Sequence, residues 1–287
     1  MTKEGIMPSL ICPVCSSALK QTENNKSYTC ENKHLFDMSK QGYTNLLLSH
    51  LKKSKHPGDT SEMVFARKEF LNCGHYEIVS NTLNQLAKSY CKNISHVNYT
   101  DLGCGEGYYT ERLKNILNQF SETTACGIDI STPAIKSACK RDSTIQWLVA
   151  SAFHIPVSPA SQDLVSCLFF RFDAHEVSRI LKTDGILICA NTGANHLIEL
   201  REHLYDNVKI DKSEAKITDE ARLEHIETVS IKHSLKLTNN TEITQLLTMT
   251  PHYWRVTNDK KLALEKLNDL EVNLDIQLDV YRRTKAP

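Results

Sequence analysis

The 287-residue sequence has no net charge to spend on a partner, since 34 Lys and Arg stand against 34 Asp and Glu. That balance excludes a global attraction to nucleic acid or to a membrane surface, so any basic contact must be local. No apolar run approaches the length of a membrane span, and Met1 to Leu10 lacks the charged start and apolar centre of a secretory signal. The expected setting is cytoplasmic, with no membrane partner. No internal repeat or low-complexity tract is present, which excludes a solenoid and a disordered array. What remains is a chain long enough for one large α/β domain and a small appendage.

Of the ten cysteines, Cys73, Cys91, Cys104, Cys126, Cys139, Cys167 and Cys189 are scattered singly through helix-like and strand-like patterns. They read as small buried hydrophobes rather than a disulfide framework. The other three are grouped. Cys12-Pro13-Val14-Cys15 is followed by Cys30-Glu31-Asn32-Lys33-His34, a C-x2-C then C-x3-H arrangement in one short polar segment. This is tetrahedral zinc spacing, each half a knuckle that aims two ligands at one point. Four protein ligands leave no open position for a water, so the expected site is structural, and metal binding would supply the folding free energy of a segment with little core of its own.

The second motif is Asp101-Leu102-Gly103-Cys104-Gly105-Glu106-Gly107-Tyr108-Tyr109-Thr110, read as a strand end, a glycine turn and a helix start. Its glycines alternate, unlike the G-x-G-x-x-G of dinucleotide turns, and it lacks the Lys-Ser/Thr end of a phosphate loop. Glycine permits positive φ and close backbone approach to a ligand, while the helix start presents unpaired N–H groups. S-adenosylmethionine, with a carboxylate and a ribose but no phosphate, suits such a turn. Downstream, Thr124 to Ile130 reads as a second strand, and its Asp129 takes the usual position of a carboxylate that accepts both ribose hydroxyls.

Between Lys40 and His56 the chain carries Lys40, Lys52, Lys53 and Lys55 with no Asp or Glu, the local asymmetry a phosphate backbone contact needs. The following Pro57-Gly58-Asp59 linker leads to a helix through Met63 and Leu71, with Asp59 and Glu62 spaced as an acidic capping box. A second helix precedes a strand near Val97. Strand and helix patterns then alternate to Ala190, which predicts a doubly wound parallel sheet. Beyond Arg201 the pattern weakens. Ile210 to His233 is unassigned, Glu242 to Met249 reads helical, and Leu274 to Val280 reads as an antiparallel edge strand. The expected division is a zinc-binding RNA-recognition segment at 1–56, a helical linker region at 57–96 and a methyltransferase domain at 97–287.

The order of these features, together with Phe36 to Leu47, Ala66-Arg67-Lys68-Glu69-Phe70-Leu71, Gly74-His75-Tyr76, His196-Leu197-Ile198-Glu199-Leu200 and Leu247-Thr248-Met249-Thr250-Pro251, resembles the 23S rRNA guanine-N1 methyltransferases over nearly the whole length. The resemblance implies a Rossmann-like class I methyltransferase sheet with a small N-terminal zinc-binding domain. It also implies methyl transfer from S-adenosylmethionine to N1 of a guanine in a 23S rRNA hairpin, by an enzyme that pairs as a homodimer. Carried over residue by residue, its metal ligands fall on Cys12, Cys15, Cys30 and His34, and its cofactor contacts on Tyr76, Gly105, Glu106 and His196, beside Gly103 and Asp129 from the motif itself. One segment departs from the family: where its members carry an Arg-Ile-Tyr-Ala-Pro-like run, this chain has Phe169-Phe170-Arg171-Phe172-Asp173-Ala174.

Guanine N1 must lose a proton as it attacks the methyl group, so a proton acceptor is expected near the fourth strand. Asp173 is the candidate, and a helix N-cap is the equally simple role for it. Phe169, Phe170 and Phe172 are candidates to stack an extruded base, and Arg171 to meet a phosphate or the guanine O6. A methyltransferase acting on a small molecule, a protein or another RNA, and an RNA-binding assembly factor without catalysis, are the alternative readings.

Overall fold

The computed structural model describes residues 9–52, 54, 57–208, 217 and 219–285. Near the N-terminus, β1 (Lys20–Gln21), β2 (Ser27–Thr29) and β3 (Leu35–Asp37) form a small antiparallel sheet. A fourth short strand, β4 (Tyr43–Asn45), leaves that sheet and joins the large one. Two helices follow, α1 (Ser61–Asn72) and α2 (Glu77–Cys91).

From there apolar strands and amphipathic helices alternate: β5 (His96–Leu102), α3 (Tyr108–Leu117), β6 (Glu122–Asp129), α4 (Thr132–Arg141), β7 (Gln146–Val149), β8 (Gln162–Leu168), α5 (Ala174–Ile180) and β9 (Leu181–Thr192). Every residue of β7 and β8 is buried, as strands covered on both faces require. The chain closes with α6 (Ile198–Leu204), β10 (Leu223–Leu237), α7 (Asn240–Thr248), α8 (Asn258–Leu264) and β11 (Leu270–Arg283).

The large sheet has the order β10-β11-β9-β8-β5-β6-β7-β4. Its order reverses at β5, which pairs in parallel with β6 on one side and β8 on the other. In such sheets the crevice beyond the C-terminal ends of the strands at the reversal is where ligands bind.

The expected antiparallel strand is β11, which pairs with both β9 and β10. Three expectations need correction. β11 is not the edge: that place belongs to β10, which lies partly in the stretch left unassigned and whose mostly exposed polar face suits an edge. The α1 helix is capped by Thr60, whose hydroxyl accepts the Met63 N–H, and not by Asp59. Among the scattered cysteines, Cys73 is exposed while the other six are buried.

Successive strand residues point to opposite faces and feed two cores. One holds Val97, Tyr99, Ala125 and Trp147 with α2, α3 and α4. The other holds Leu102, Ile128, Leu148 and Val157, and the N-terminal residues Leu10, Cys12, Leu19, Tyr28 and Cys30 are continuous with it. The Tyr28 hydroxyl donates to Gln146 Oε1 at 3.0 Å, and Leu10 bridges to Val157, so the small sheet is packed onto one face of the large one.

Trp147 is 1% exposed and donates its indole N–H to the Asp142 carbonyl at 2.7 Å. A Cβ added to Gly127 would lie 2.2 Å from its Cζ3, and one added to Gly107 would lie 2.8 Å from its Cη2. Gly127→Ala is therefore expected to cost about 3 kcal/mol by overpacking. Gly42, with nothing within 4 Å of an added Cβ, should cost about 1 kcal/mol through its positive φ alone. Urea denaturation measures both, and equal losses would contradict the packing argument.

Candidate functional site

The turn after β5 is built from positive φ: +70° at Gly103, +56° at Gly105 and +87° at Gly107, where L side chains are strained. Gly103 and Cys104 donate their N–H groups to the Ile128 carbonyl at 2.8 and 3.1 Å, docking the turn on β6. Beneath it, buried Asp101 accepts from the Thr110 hydroxyl at 2.5 Å and the Ser166 hydroxyl at 2.6 Å, tying β5 to α3 and β8. Burial pushes its carboxyl up to about 6, against the pull of those two hydrogen bonds.

Asp129 at the end of β6 faces the turn. Its Oδ2 accepts the Gly105 N–H at 3.0 Å and its Oδ1 the Ser131 N–H at 2.7 Å. Burial raises its carboxyl above the usual range while these backbone donors hold it down. Ser131 in turn caps α4, so the acid end of β6 and the start of the next helix form one rigid corner.

Across the crevice stand Tyr76, Phe169 and His196. Tyr76 is 3% exposed at the start of α2, and its hydroxyl lies 3.4 Å from His196 Nε2. His196 Nδ1 lies 3.3 Å from the Asp275 N–H and accepts from it, so Nε2 carries the proton and donates to Tyr76. Burial lowers His196 to about 4, which keeps the ring neutral near pH 7. The Phe169 ring stacks on His196 at 6.5 Å and 16°, and meets Tyr76 edge-on at 6.3 Å.

Phe169 is 40% exposed and held at a φ of +56°, costly for a bulky residue. Phe170, equally exposed, leans over the turn: a Cβ on Gly103 would meet its Cγ at 2.7 Å.

Two polar atoms around the turn are buried with no partner among the described residues, Glu106 Oε1 and the Tyr109 hydroxyl. Glu106 turns its other oxygen to Arg141, which donates to it from Nε at 2.9 Å and from Nη2 at 2.5 Å. Over Gly105, an added Cβ would meet a single atom within 4 Å, Arg67 Nη1 at 3.6 Å. Arg67, Asp101 and Trp147 were not among the expected site residues. Asp101 lies within the glycine motif itself, but Trp147 and Arg67 reach the turn only through tertiary packing.

At the N-terminal sheet, the ligand atoms of Cys12, Cys15, Cys30 and His34 all lie within 4.8 Å of one another. His34 Nδ1 is 3.5 Å from Cys12 Sγ and 3.4 Å from Cys30 Sγ, and the sulfurs of Cys15 and Cys30 are 3.7 Å apart. A tetrahedral zinc, with Zn–S near 2.3 Å and Zn–N near 2.0 Å, separates its ligands by about 3.5–3.8 Å. The spacing fits that ion. Hydrogen bonding with the Asn32 side chain and with Ser17 brings the Cys15 thiol down to about 5, while burial raises Cys12.

The family described as "RlmA, N-terminal", a zinc ribbon, matches residues 10–55, and the family described as "Methyltransferase domain" matches residues 100–189. YxjB of Bacillus subtilis (strain 168), provisionally named a 23S rRNA (guanine-N(1)-)-methyltransferase, is 27% identical over 93% of this chain and 94% of its own length. The 23S rRNA (guanine(748)-N(1))-methyltransferase of Streptomyces fradiae is 26% identical over 98% of this chain and 99% of its own. This chain is similar over nearly its whole length to proteins named as 23S rRNA guanine-N1 methyltransferases. Its fold is the class I methyltransferase sheet with an N-terminal zinc ribbon, and its cofactors are S-adenosylmethionine and a structural zinc ion.

The turn fits the first of these: it has an open glycine face at Gly105, a half-buried acid beside it and, around it, two polar atoms unpartnered among the described residues. Other expected residues stand apart from the turn's hydrogen bonds. Asp173 Oδ1 accepts from the N–H groups of His175 at 2.8 Å and Glu176 at 3.2 Å, so Asp173 is the N-cap of α5. Lys40, Lys52 and Arg171 are exposed, and their side chains make no ion pair with the described residues. Lys53 and Lys55 lie outside the described residues. No helix among the described residues is long and apolar enough to cross a membrane.

Because the ribbon shares a core with the sheet, losing a zinc ligand should reach beyond the ribbon. Wild-type protein is expected to carry about one zinc ion per chain. Cys30→Ala should retain less than about a tenth of that and melt roughly 5 °C or more lower. Atomic absorption and calorimetry give the two values, and full zinc content in the variant would remove Cys30 from the ligand set.

Proposed function

We propose that the chain transfers a methyl group from S-adenosylmethionine to N1 of a guanine in a hairpin of 23S rRNA. What carries this reading is the joining, in one chain, of a zinc ribbon packed on a methyltransferase sheet, in relatives named for that reaction that match it over more than nine-tenths of their length. The cofactor supplies a sulfonium methyl group poised for in-line attack. In this proposal Gly103, Gly105 and Glu106 cradle it, Asp129 meets its ribose, and Tyr76 and His196 close its amino-acid side.

The substrate base would stack on the exposed rings of Phe169 and Phe170, which stand at the end of β8 beside the glycine turn. A planar purine extruded from its helix loses its stacking neighbours, and aromatic faces replace them. Lys40, Lys52, Lys53, Lys55 and Arg171 supply the positive charge that a phosphate backbone needs. Asp173 takes the N1 proton on Oδ2, the oxygen that does not cap α5.

N1 methylation blocks Watson–Crick pairing, so reverse transcription of 23S rRNA should stop next to one guanine in cells carrying the gene and read through in a deletion strain. Identical profiles in both strains would overturn the rRNA assignment. Asp173→Asn keeps an N-cap of equal quality and removes the basic oxygen, so its melting temperature should be unchanged while turnover falls about a hundredfold or more. Unchanged turnover would leave Asp173 with the cap alone.

A further inference from the structure

We propose that Arg67 binds the α-carboxylate of S-adenosylmethionine above Gly105, and so fixes the amino-acid end of the cofactor. The inference rests on the placement of the cofactor over the glycine turn. Gly105 has a positive φ of +56°, and the space over it is open except for Arg67 Nη1, 3.6 Å from where a Cβ would stand. A backbone cradle with a guanidinium at its mouth is a site for an anionic group.

The guanidinium is braced from behind. Nη2 donates to the Met249 carbonyl at 2.9 Å, and Nη1 donates to the Asp59 carboxylate. The Asp59 carbonyl itself accepts the Ser131 hydroxyl at 2.7 Å, and Ser131 is bound to Asp129. Arg67 is thus tied to the linker, to the end of α7 and, through Ser131, to the corner that holds Asp129. Its side chain is 26% exposed, and the two bonds use only part of its five-donor fork.

The other charges around the turn cannot do this work. Asp129 and Glu106 are carboxylates, and Arg141 is committed to Glu106, Glu111 and Asn72. Among the described residues, the cation that a carboxylate arriving over Gly105 meets is Arg67, with donors to spare. The three segments that meet at Arg67 are also those around Pro57-Gly58-Asp59, Ala66 to Leu71 and Leu247 to Pro251, so a single contact gives them a common purpose at the turn.

The rival role is a strut that only joins α1 to α7, and ligand dissection separates the two. 5′-Methylthioadenosine keeps the adenosine and the thioether of S-adenosylhomocysteine but lacks the amino-acid portion. Calorimetric titration of the zinc-loaded full chain should show Arg67→Met binding S-adenosylhomocysteine about thirtyfold more weakly, and methylthioadenosine within about twofold of wild type. Arg67→Lys, which keeps the charge and the stem, should show a smaller loss on S-adenosylhomocysteine only. Equal losses on both ligands, or none on either, would overturn the assignment. If Arg67→Met does not fold, the Arg67→Lys comparison decides, and equal losses or no loss there would have the same force. Gly103→Ala, which crowds the turn itself, should weaken both ligands; if it weakens neither, it is the placement over the turn that fails.

Discussion

Trp147 packs its indole against two backbone positions that carry no side chain, Gly107 and Gly127, and this contact sets how close β6 and the start of α3 can come. The indole is fully buried and anchored by its own hydrogen bond to Asp142, so it cannot yield. With that floor fixed, the turn between Gly103 and Gly107 must pass over it with positive φ at three residues, and its N–H groups are left to meet Ile128 and Asp129. Asp101 locks the same turn from below through Thr110 and Ser166. The ligand cradle is a consequence of these packing constraints, each of which involves a different strand of the sheet.

The zinc ribbon solves a problem of surface. One face of the sheet is covered by α2, α3 and α4, while on the other the ribbon residues Leu10, Leu19 and Tyr28 complete a core with Ile128, Leu148 and Val157. A segment with so few apolar side chains holds its shape through the four metal ligands and then lends its apolar face to the larger domain. Strand β4 extends the fusion by pairing with β7, the strand that carries Trp147, so ribbon and cofactor turn are joined through one strand.

Much of this was legible in the sequence where the physics is local. Zinc ligands spaced by two and three residues, glycines spaced by one, and alternating strand and helix patterns from Val97 to Ala190 all depend on neighbours in the chain. What was not legible depends on distant partners. β10 is an edge strand with mostly exposed polar residues, so its sequence carries little strand signal, and it takes its place only by pairing along β11. Two adjacent cap-competent residues, Asp59 and Thr60, could not be told apart until the pairing of Asp59 with Arg67 removed it from the cap. Arg67 and Trp147 reach the turn from 38 and 42 residues away from Gly105 in the chain, and nothing in their immediate neighbours points there.

The central claim is that the glycine turn at the end of β5, closed on one side by Asp129, is where the methyl donor binds. Equilibrium titration of S-adenosylmethionine against the wild-type chain and Asp129→Ala tests it most directly, with circular dichroism confirming that the variant folds. The account predicts saturable binding to the wild type and a loss of about tenfold or more in the variant. Binding of equal strength in the two proteins would contradict it.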